Sequence, residues 1–426
     1  MAEIAAFRGI RYNPSVVGDM DKVVSPPYDI ISPEDRVVYH ELHPSNFVRL
    51  ILGEEFESDT ETDNRFTRAK SYLEEWLEKG VLVPDDAPAI YVYAQHFKRG
   101  GLPRTVRGFT CAVKVHDYDE KVILPHELTL AKPRIGLMGL LNQTNANLDS
   151  IYGLYADPRG ELEKVMDRIM SVPAAIDVTD REGVRHFLWV VSDQAEIDLV
   201  ASFLRDKQIA IADGHHRYEA SLYHRDEVRA QGGVTEGAHS AEYTLMTIIN
   251  LHQKDMHILP THRVLNNLSE EALGALDGGL PEHFDVIDST SATLVHDSAQ
   301  AGGIGMYRKG DAKVLVPREG FCELIGGCEA SKRLELNILH KLILEKILGI
   351  DHEMLRNQTH VLYTRDPRKA MELVDSGQRQ IAFLLNHIDV KSVMDIANAG
   401  EKMPQKATYF HPKLLSGLVL RKLDQD

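Results

Sequence analysis

The chain has 426 residues, 43% hydrophobic and 26% charged, a balance typical of folded globular proteins and too long for one small core, so two domains are expected. Its formal charge, 48 − 64 = −16, argues against a nucleic-acid binder working through a broad basic surface. Cys111, Cys322 and Cys328 are few, odd in number and without zinc-ligand spacing, which fits a reducing cytoplasm. No apolar run reaches the roughly 20 residues that span a bilayer. The N-terminal residues lack a cationic leader followed by an apolar stretch, so a soluble cytoplasmic protein without membrane contact is expected.

Ser25-Pro26-Pro27-Tyr28-Asp29 reads as a rigid corner that either presents Asp29 to a pocket or serves only as a turn. His43 to Leu50 reads as a turn leading into a strand. Phe66, Ala69, Leu73, Trp76 and Leu77 then fall on one face of a helix that stops at Gly80. Two strands, 89–97 and 105–115, flank Lys98-Arg99-Gly100-Gly101 and predict a hairpin. Further along, strands are expected at 151–155, 174–178, 185–191 and 243–251, with a helix at 159–171. Beyond residue 260 the pattern changes to strands near 284–288, 303–308 and 313–317 and an apolar helix at 331–348. A strand, helix, strand, helix series then covers 360–364, 367–376, 380–386 and 390–399. The leucines and isoleucines of the 331–348 helix suit either a core or a homodimer seam.

The most telling segment is Ile209-Ala-Ile-Ala-Asp213-Gly214-His215-His216-Arg217. An apolar strand stops at Asp-Gly and a helix begins at once. Gly214 permits a left-handed backbone, and Asp213 is a candidate cap for the first helical turn. Helix amides and the Arg217 guanidinium converging on one spot would suit a phosphate, whereas an ordinary Asp-Gly turn with surface histidines is the plain alternative. Pro125-His126-Glu127 ends another strand. It is no zinc-protease helix, because Leu130 stands where a second histidine is needed. Glu127 suits a general base, or else a surface carboxylate. Lys406 and Thr408 follow a Met-Pro corner in a loop able to hold phosphate or carboxylate, or simply solvated. P-loop, dinucleotide-binding and protein-kinase patterns are absent.

Phe7 to Tyr12, Pro26 to Asp29, His126 to Thr129, Ile211 to Ala220, Pro260 to Arg263 and Met403 to Phe410, in that order, resemble the conserved family of unknown-function domains numbered 1015. The Asp213 to Arg217 turn also resembles the phosphate-binding element of ParB/sulfiredoxin-like proteins, and the chain is similar to the archaeal free-serine kinases of that group. The long separation of Glu127 from Asp213 and the loop Gln-Lys-Ala-Thr-Tyr-Phe depart from the kinase pattern, and insertions are required.

The resemblance implies an α+β fold: a ParB/sulfiredoxin-like N-terminal part with insertions, residues 1–260, and a C-terminal α+β domain, residues 261–426, contributing to the substrate site. It implies an ATP- and Mg²⁺-dependent kinase acting on a small hydroxyl substrate, first of all free L-serine. Glu127, His126 and Asp213 would be catalytic, and Asp213 would also hold the metal. Gly214, His215, His216 and Arg217 would take nucleotide phosphates, and Lys406 with Thr408 the substrate. The alternative is a ParB-like nucleotide sensor without phosphotransfer. Whether ATP or ADP is the donor, which acceptor is used and what Asp29 does stay open.

Overall fold

The computed structural model describes residues 1–423 apart from 128, 130, 234–236, 238, 239, 357, 358 and 405, and omits the side chains of 131, 132, 352 and 356. Leu128 and Gln405, both within motifs named above, therefore lie outside the described residues. The fold is α+β: helices and strands are both abundant, and the strands gather into several sheets. The chain forms two compact units. The first comprises 1–125, 129–256 and 412–426; the second comprises 126–128 and 257–411.

The first unit is built on nine strands: β1 (Ile4–Ala5), β2 (Ile90–Arg99), β3 (Leu102–Lys114), β4 (Ile123–Leu124), β5 (Ile151–Tyr155), β6 (Ile176–Thr179), β7 (Arg185–Val191), β8 (Ile209–Asp213) and β9 (Tyr243–Asn250). Their order is β4-β8-β5-β9-β3-β2-β7-β6, with β1 also paired to β3. The β2–β3 hairpin forms as its sequence predicts. Gly100 and Gly101 both take positive φ, 58° and 77°, the requirement of a tight turn matched to strand twist.

Helices α1 (Arg65–Glu78), α2 (Ala131–Thr144), α3 (Glu161–Ile169), α4 (Gln194–Leu204) and α5 (His215–Ala230) belong to this unit. α1 starts with a reciprocal cap, in which Asn64 accepts the Thr67 amide and Thr67 Oγ1 accepts the Asn64 amide. Val92, Phe109, Cys111, Ile209, Ile211 and Ile248 from the sheet share one core with Leu162, Val165 and Val200 of α3 and α4. The strand expected after His43 is instead a short helix, Val48–Ile51. Val48, Leu50 and Ile51 are all buried there, together with Phe47, Leu73 and Trp76, so packing on more than one side overrides the strand preference of an apolar run.

The second unit contains β10 (His257–Leu259), β11 (His262–Leu265), β12 (Phe284–Ser289), β13 (Ile304–Arg308), β14 (Asp311–Pro317), β15 (Val361–Thr364), β16 (Ile381–Leu384) and β17 (Tyr409–His411). Six of these form an antiparallel sheet, β12-β14-β13-β16-β11-β15, while β10 pairs with β17. Its helices include α6 (Glu270–His283), α7 (Leu294–Ala301), α8 (Glu329–Arg333), α9 (Glu335–Ile338), α10 (Pro367–Asp375) and α11 (Val390–Asn398). The continuous helix expected over 331–348 is interrupted. Leu334 is extended, and Asn337 Nδ2 donates to the Ser331 carbonyl at 2.8 Å. Residues Leu339–Ile347 then widen into a π-helix. Leu339, Leu342, Ile343 and Leu344 are buried within the unit, which makes this segment core.

Candidate functional site

The predicted strand, turn and helix around residue 214 form as β8 and α5, and a register shift in β8 adds a feature the sequence does not announce. Ile211 pairs with Gly153 but Asp213 pairs with Tyr152, so one residue is extra on β8. Such a bulge re-aims the side chain that follows it. Gly214 then caps α5 with φ 90°, in the left-handed region. A Cβ there would sit 2.8 Å from Arg217 Nε, so both backbone and space demand glycine.

Asp213 does not cap α5; no side chain of the cap residue does, and its carboxylate is committed elsewhere. Oδ2 accepts from Arg217 Nη2 at 2.9 Å and Oδ1 from Lys413 Nζ at 2.9 Å. Burial alone would raise this carboxyl, but Lys413 and Arg217 outweigh it and hold it at about 2. Arg217 also donates to the Ser150 carbonyl at 2.6 Å. Its guanidinium is thus directed into the protein, with the side chain only 10% exposed.

Asp29 and Asp149 complete the cluster. Asp29 keeps solvent contact although protein crowds around it; that crowding, then the negative Asp213, raise its carboxyl. Burial likewise raises the carboxyl of Asp149. Behind Arg217 lies a cavity of about 50 Å³ lined by Tyr28, Asp149, Ser221 and Thr244 among others, room enough for water. Arg217 Nε and Asp149 Oδ1 are buried there without a hydrogen-bond partner among the described residues. His215 is buried and His216 half-buried; burial lowers the His216 imidazole below its usual value. Among the described residues no group of three or more His, Cys, Asp or Glu side chains is arranged to hold a metal. With both oxygens already facing cations, Asp213 does not fit the role of magnesium ligand that the resemblance implies.

In the second unit four of the sequence-predicted residues come together across almost the whole length of that part of the chain. The Lys406 amide donates to Glu127 Oε1 at 2.9 Å, and His126 Nε2 lies 2.9 Å from Thr408 Oγ1. The Met403 amide donates to the His126 carbonyl at 2.7 Å, which sets the two segments side by side in parallel. His126 is fully buried, with its ring 6.2 Å from that of Phe410. Lys406 itself has φ 53°, left-handed for a non-glycine residue. It is held from both ends, because Arg263 Nη2 donates to its carbonyl at 3.2 Å.

Arg263 is the residue sequence reasoning undervalued, since it enters there only as the end of the Pro260 to Arg263 motif, with no role of its own. It is fully buried, donates to the Thr261 carbonyl and lies 5.1 Å from the Tyr363 ring centroid. Burial lowers its guanidinium to about 10. Lys413, the second cation on Asp213, was also missed; it follows Pro412 without any local pattern. Asp213 to Arg217 belong to the first unit, and His126, Glu127, Lys406 and Thr408 to the second.

Residues 4–340 match the family described as Protein of unknown function (DUF1015). The chain belongs to this family. None of the curated proteins matches this DUF1015 member. Among solved structures it is similar to a free serine kinase in complex with AMP, at 14% identity and a TM-score of 0.37, covering 68% of this chain and 83% of that one. It is also similar to a conserved hypothetical protein from Pyrococcus furiosus, at 12% identity and a TM-score of 0.36, covering 69% and 89%. The third likeness is to SbnI with a C-terminal truncation from Staphylococcus aureus, at 13% identity and a TM-score of 0.36, covering 74% and 90%.

Proposed function

We propose that this DUF1015 protein is a cytoplasmic kinase that transfers the γ-phosphate of ATP to the hydroxyl of a small substrate, free L-serine being the first candidate and O-phosphoserine its product. The observation that carries this reading is the meeting of Glu127, His126, Lys406 and Thr408 in one unit, where the carboxylate holds the Lys406 amide and the imidazole faces the Thr408 hydroxyl. Phosphoryl transfer asks mainly for positioning and charge compensation. Glu127 would accept the hydroxyl proton as the substrate oxygen attacks the γ-phosphorus and ADP leaves. Lys406, with its backbone pinned by Glu127 and Arg263 and its side chain exposed, would steer the substrate.

The nucleotide's phosphates are assigned to the start of α5, where Gly214 brings no side chain and the amides of His215 and His216 carry the positive end of a sixteen-residue helix. Arg217 supports this element from within through Asp213 and Ser150. Magnesium would accompany the nucleotide, with no step assigned through Asp213.

A second reading is a ParB-like nucleotide sensor without phosphotransfer, in which Glu127 serves only to accept the Lys406 amide and is no base. One assay separates the two. Purified protein is incubated with γ-labelled ATP, Mg²⁺ and a panel of hydroxyl amino acids, and products are resolved by mass spectrometry. A phosphorylated amino acid supports the kinase; nucleotide binding without product supports the sensor. Glu127→Gln should lower turnover by about 10²–10⁴-fold with nucleotide affinity retained. Loss of both would make this carboxylate structural.

A further inference from the structure

Next to the contact between Glu127 and the Lys406 amide, the second unit carries two cations that rest on aromatic rings instead of carboxylates. Arg365 follows β15, an edge strand paired only with β11, and its Cζ lies over the Tyr409 ring at 4.1 Å from the centroid. Lys406 Nζ lies 6.0 Å from the centroid of the Tyr363 ring. Tyr363 stands two residues before Arg365, and Lys406 three before Tyr409. The two contacts therefore clasp the segments 363–365 and 406–409 together and set both positive heads on one short stretch of the unit.

A ring face attracts a cation without neutralising it. Arg365 meets Tyr409 through Cζ, so the contact uses the face of the guanidinium, whose N–H donors lie in its plane. Neither the Arg365 nor the Lys406 side chain has a hydrogen bond or an ion pair among the described residues. The carboxylates of the same segments are each committed to a backbone amide: Asp366 caps α10 by accepting from Arg368 at 2.8 Å, and Glu127 accepts from Lys406. Arg263, beneath Tyr363, adds positive charge, and it donates to the Thr261 and Lys406 carbonyls. An arginine and a lysine kept open side by side suit an anionic group. The guanidinium can take a carboxylate or phosphate through two parallel N–H bonds, and the ammonium adds a point charge.

We infer that Arg365 is a substrate-binding residue acting with Lys406, and that the acceptor alcohol carries a carboxylate or phosphate group of its own, held by these two cations. A hydroxy acid or a phosphorylated polyol meets that description, and an ammonium on the acceptor is not required. The inference rests on the kinase reading for the acceptor's place beside Glu127; binding of the anion does not depend on it.

Calorimetry on the full chain without nucleotide is the test, so absence of phosphotransfer leaves the result unaffected. The probes are D-glycerate, sn-glycerol 3-phosphate and L-serine, with glycerol as the uncharged control. At least one charged probe should bind about tenfold or more tighter than glycerol, and the tighter of glycerate and glycerol phosphate identifies the preferred anion. Arg365→Gln should weaken that probe about tenfold or more and flatten the fall of its affinity with added salt, and Arg365→Lys should recover part of the loss. Melting curves of both variants report folding. An anion held at the start of α5 would not respond to either substitution. Failure of every charged probe to bind wild-type protein, equal binding of glycerol, or full binding by folded Arg365→Gln overturns the inference. Binding that meets these expectations, with no phosphorylated product once ATP and Mg²⁺ are added, would remove the kinase reading and keep the anion site.

Discussion

Replacing Gly214 by alanine tests the construction of the β8–α5 turn most directly. The backbone there has φ 90°, beyond the small left-handed well open to L residues, so a side chain costs roughly 1–2 kcal/mol before any contact is counted. The new Cβ would also lie 2.8 Å from Arg217 Nε and 3.1 Å from Cζ and Nη2. A flexible arginine would ordinarily swing aside. This one is held by Asp213 at 2.9 Å and by the Ser150 carbonyl at 2.6 Å. Displacing it from either partner forfeits a charge-assisted bond of about 1.5–3 kcal/mol, so Gly214→Ala should cost about 3–5 kcal/mol in all. Urea unfolding followed by circular dichroism measures that cost. In an Arg217→Ala background the same substitution should cost only the backbone share, leaving a coupling of about 2 kcal/mol between the two positions. A single-mutant cost under about 1 kcal/mol, or strict additivity, would refute the argument that glycine is required by the guanidinium above it.

Two further outcomes follow from the same geometry. Asp213 titrates at about 2 in the folded protein against 3.8 as its ordinary value, a lowered carboxyl, so its stabilisation is present above pH 4 and is lost as pH falls toward 2. The difference amounts to roughly 2 kcal/mol, and comparing wild type with Asp213→Asn by acid unfolding isolates it from Asp29, which shifts the opposite way; equal acid dependence in the two proteins would contradict the assignment. Lys406→Gly should relieve roughly 1 kcal/mol of left-handed strain and keep the amide and carbonyl bonds to Glu127 and Arg263, so the variant should be at least as stable as wild type. If the Lys406 ammonium steers substrate, KM should nevertheless rise about tenfold or more; unchanged KM would reduce this residue to a backbone role.

Several elements were legible because their causes are local. The strand 185–191 follows from a run of aromatic and branched apolar residues and the hairpin through Gly100-Gly101 from turn chemistry, and α10 starts where Asp366 caps a helix beginning at Pro367. The helix across 331–348 was misjudged because apolar spacing cannot reveal that Leu334 leaves the helix or that later turns widen to i→i+5 bonding, as in Leu348 to Ile343. For the candidate site the same division holds. Histidine, glutamate, lysine and threonine at 126, 127, 406 and 408 could be singled out by type, while nothing local marks Arg263 as the buried side chain that anchors their loop.

By itself the amino-acid sequence determined the strand, glycine turn and helix at 209–230, because an apolar run, a residue able to take positive φ and a helix-forming segment act within a few positions of one another. Only the tertiary structure decided what Asp213 does. Its local role would be to cap α5, yet Lys413, two hundred residues away in the chain, and Arg217 claim both oxygens. The pairing of Glu127 with the Lys406 amide is of the same kind, spanning 279 positions. Ion pairs and hydrogen bonds act over a few ångströms, so their partners are set by which segments packing brings together, and no local pattern records that choice.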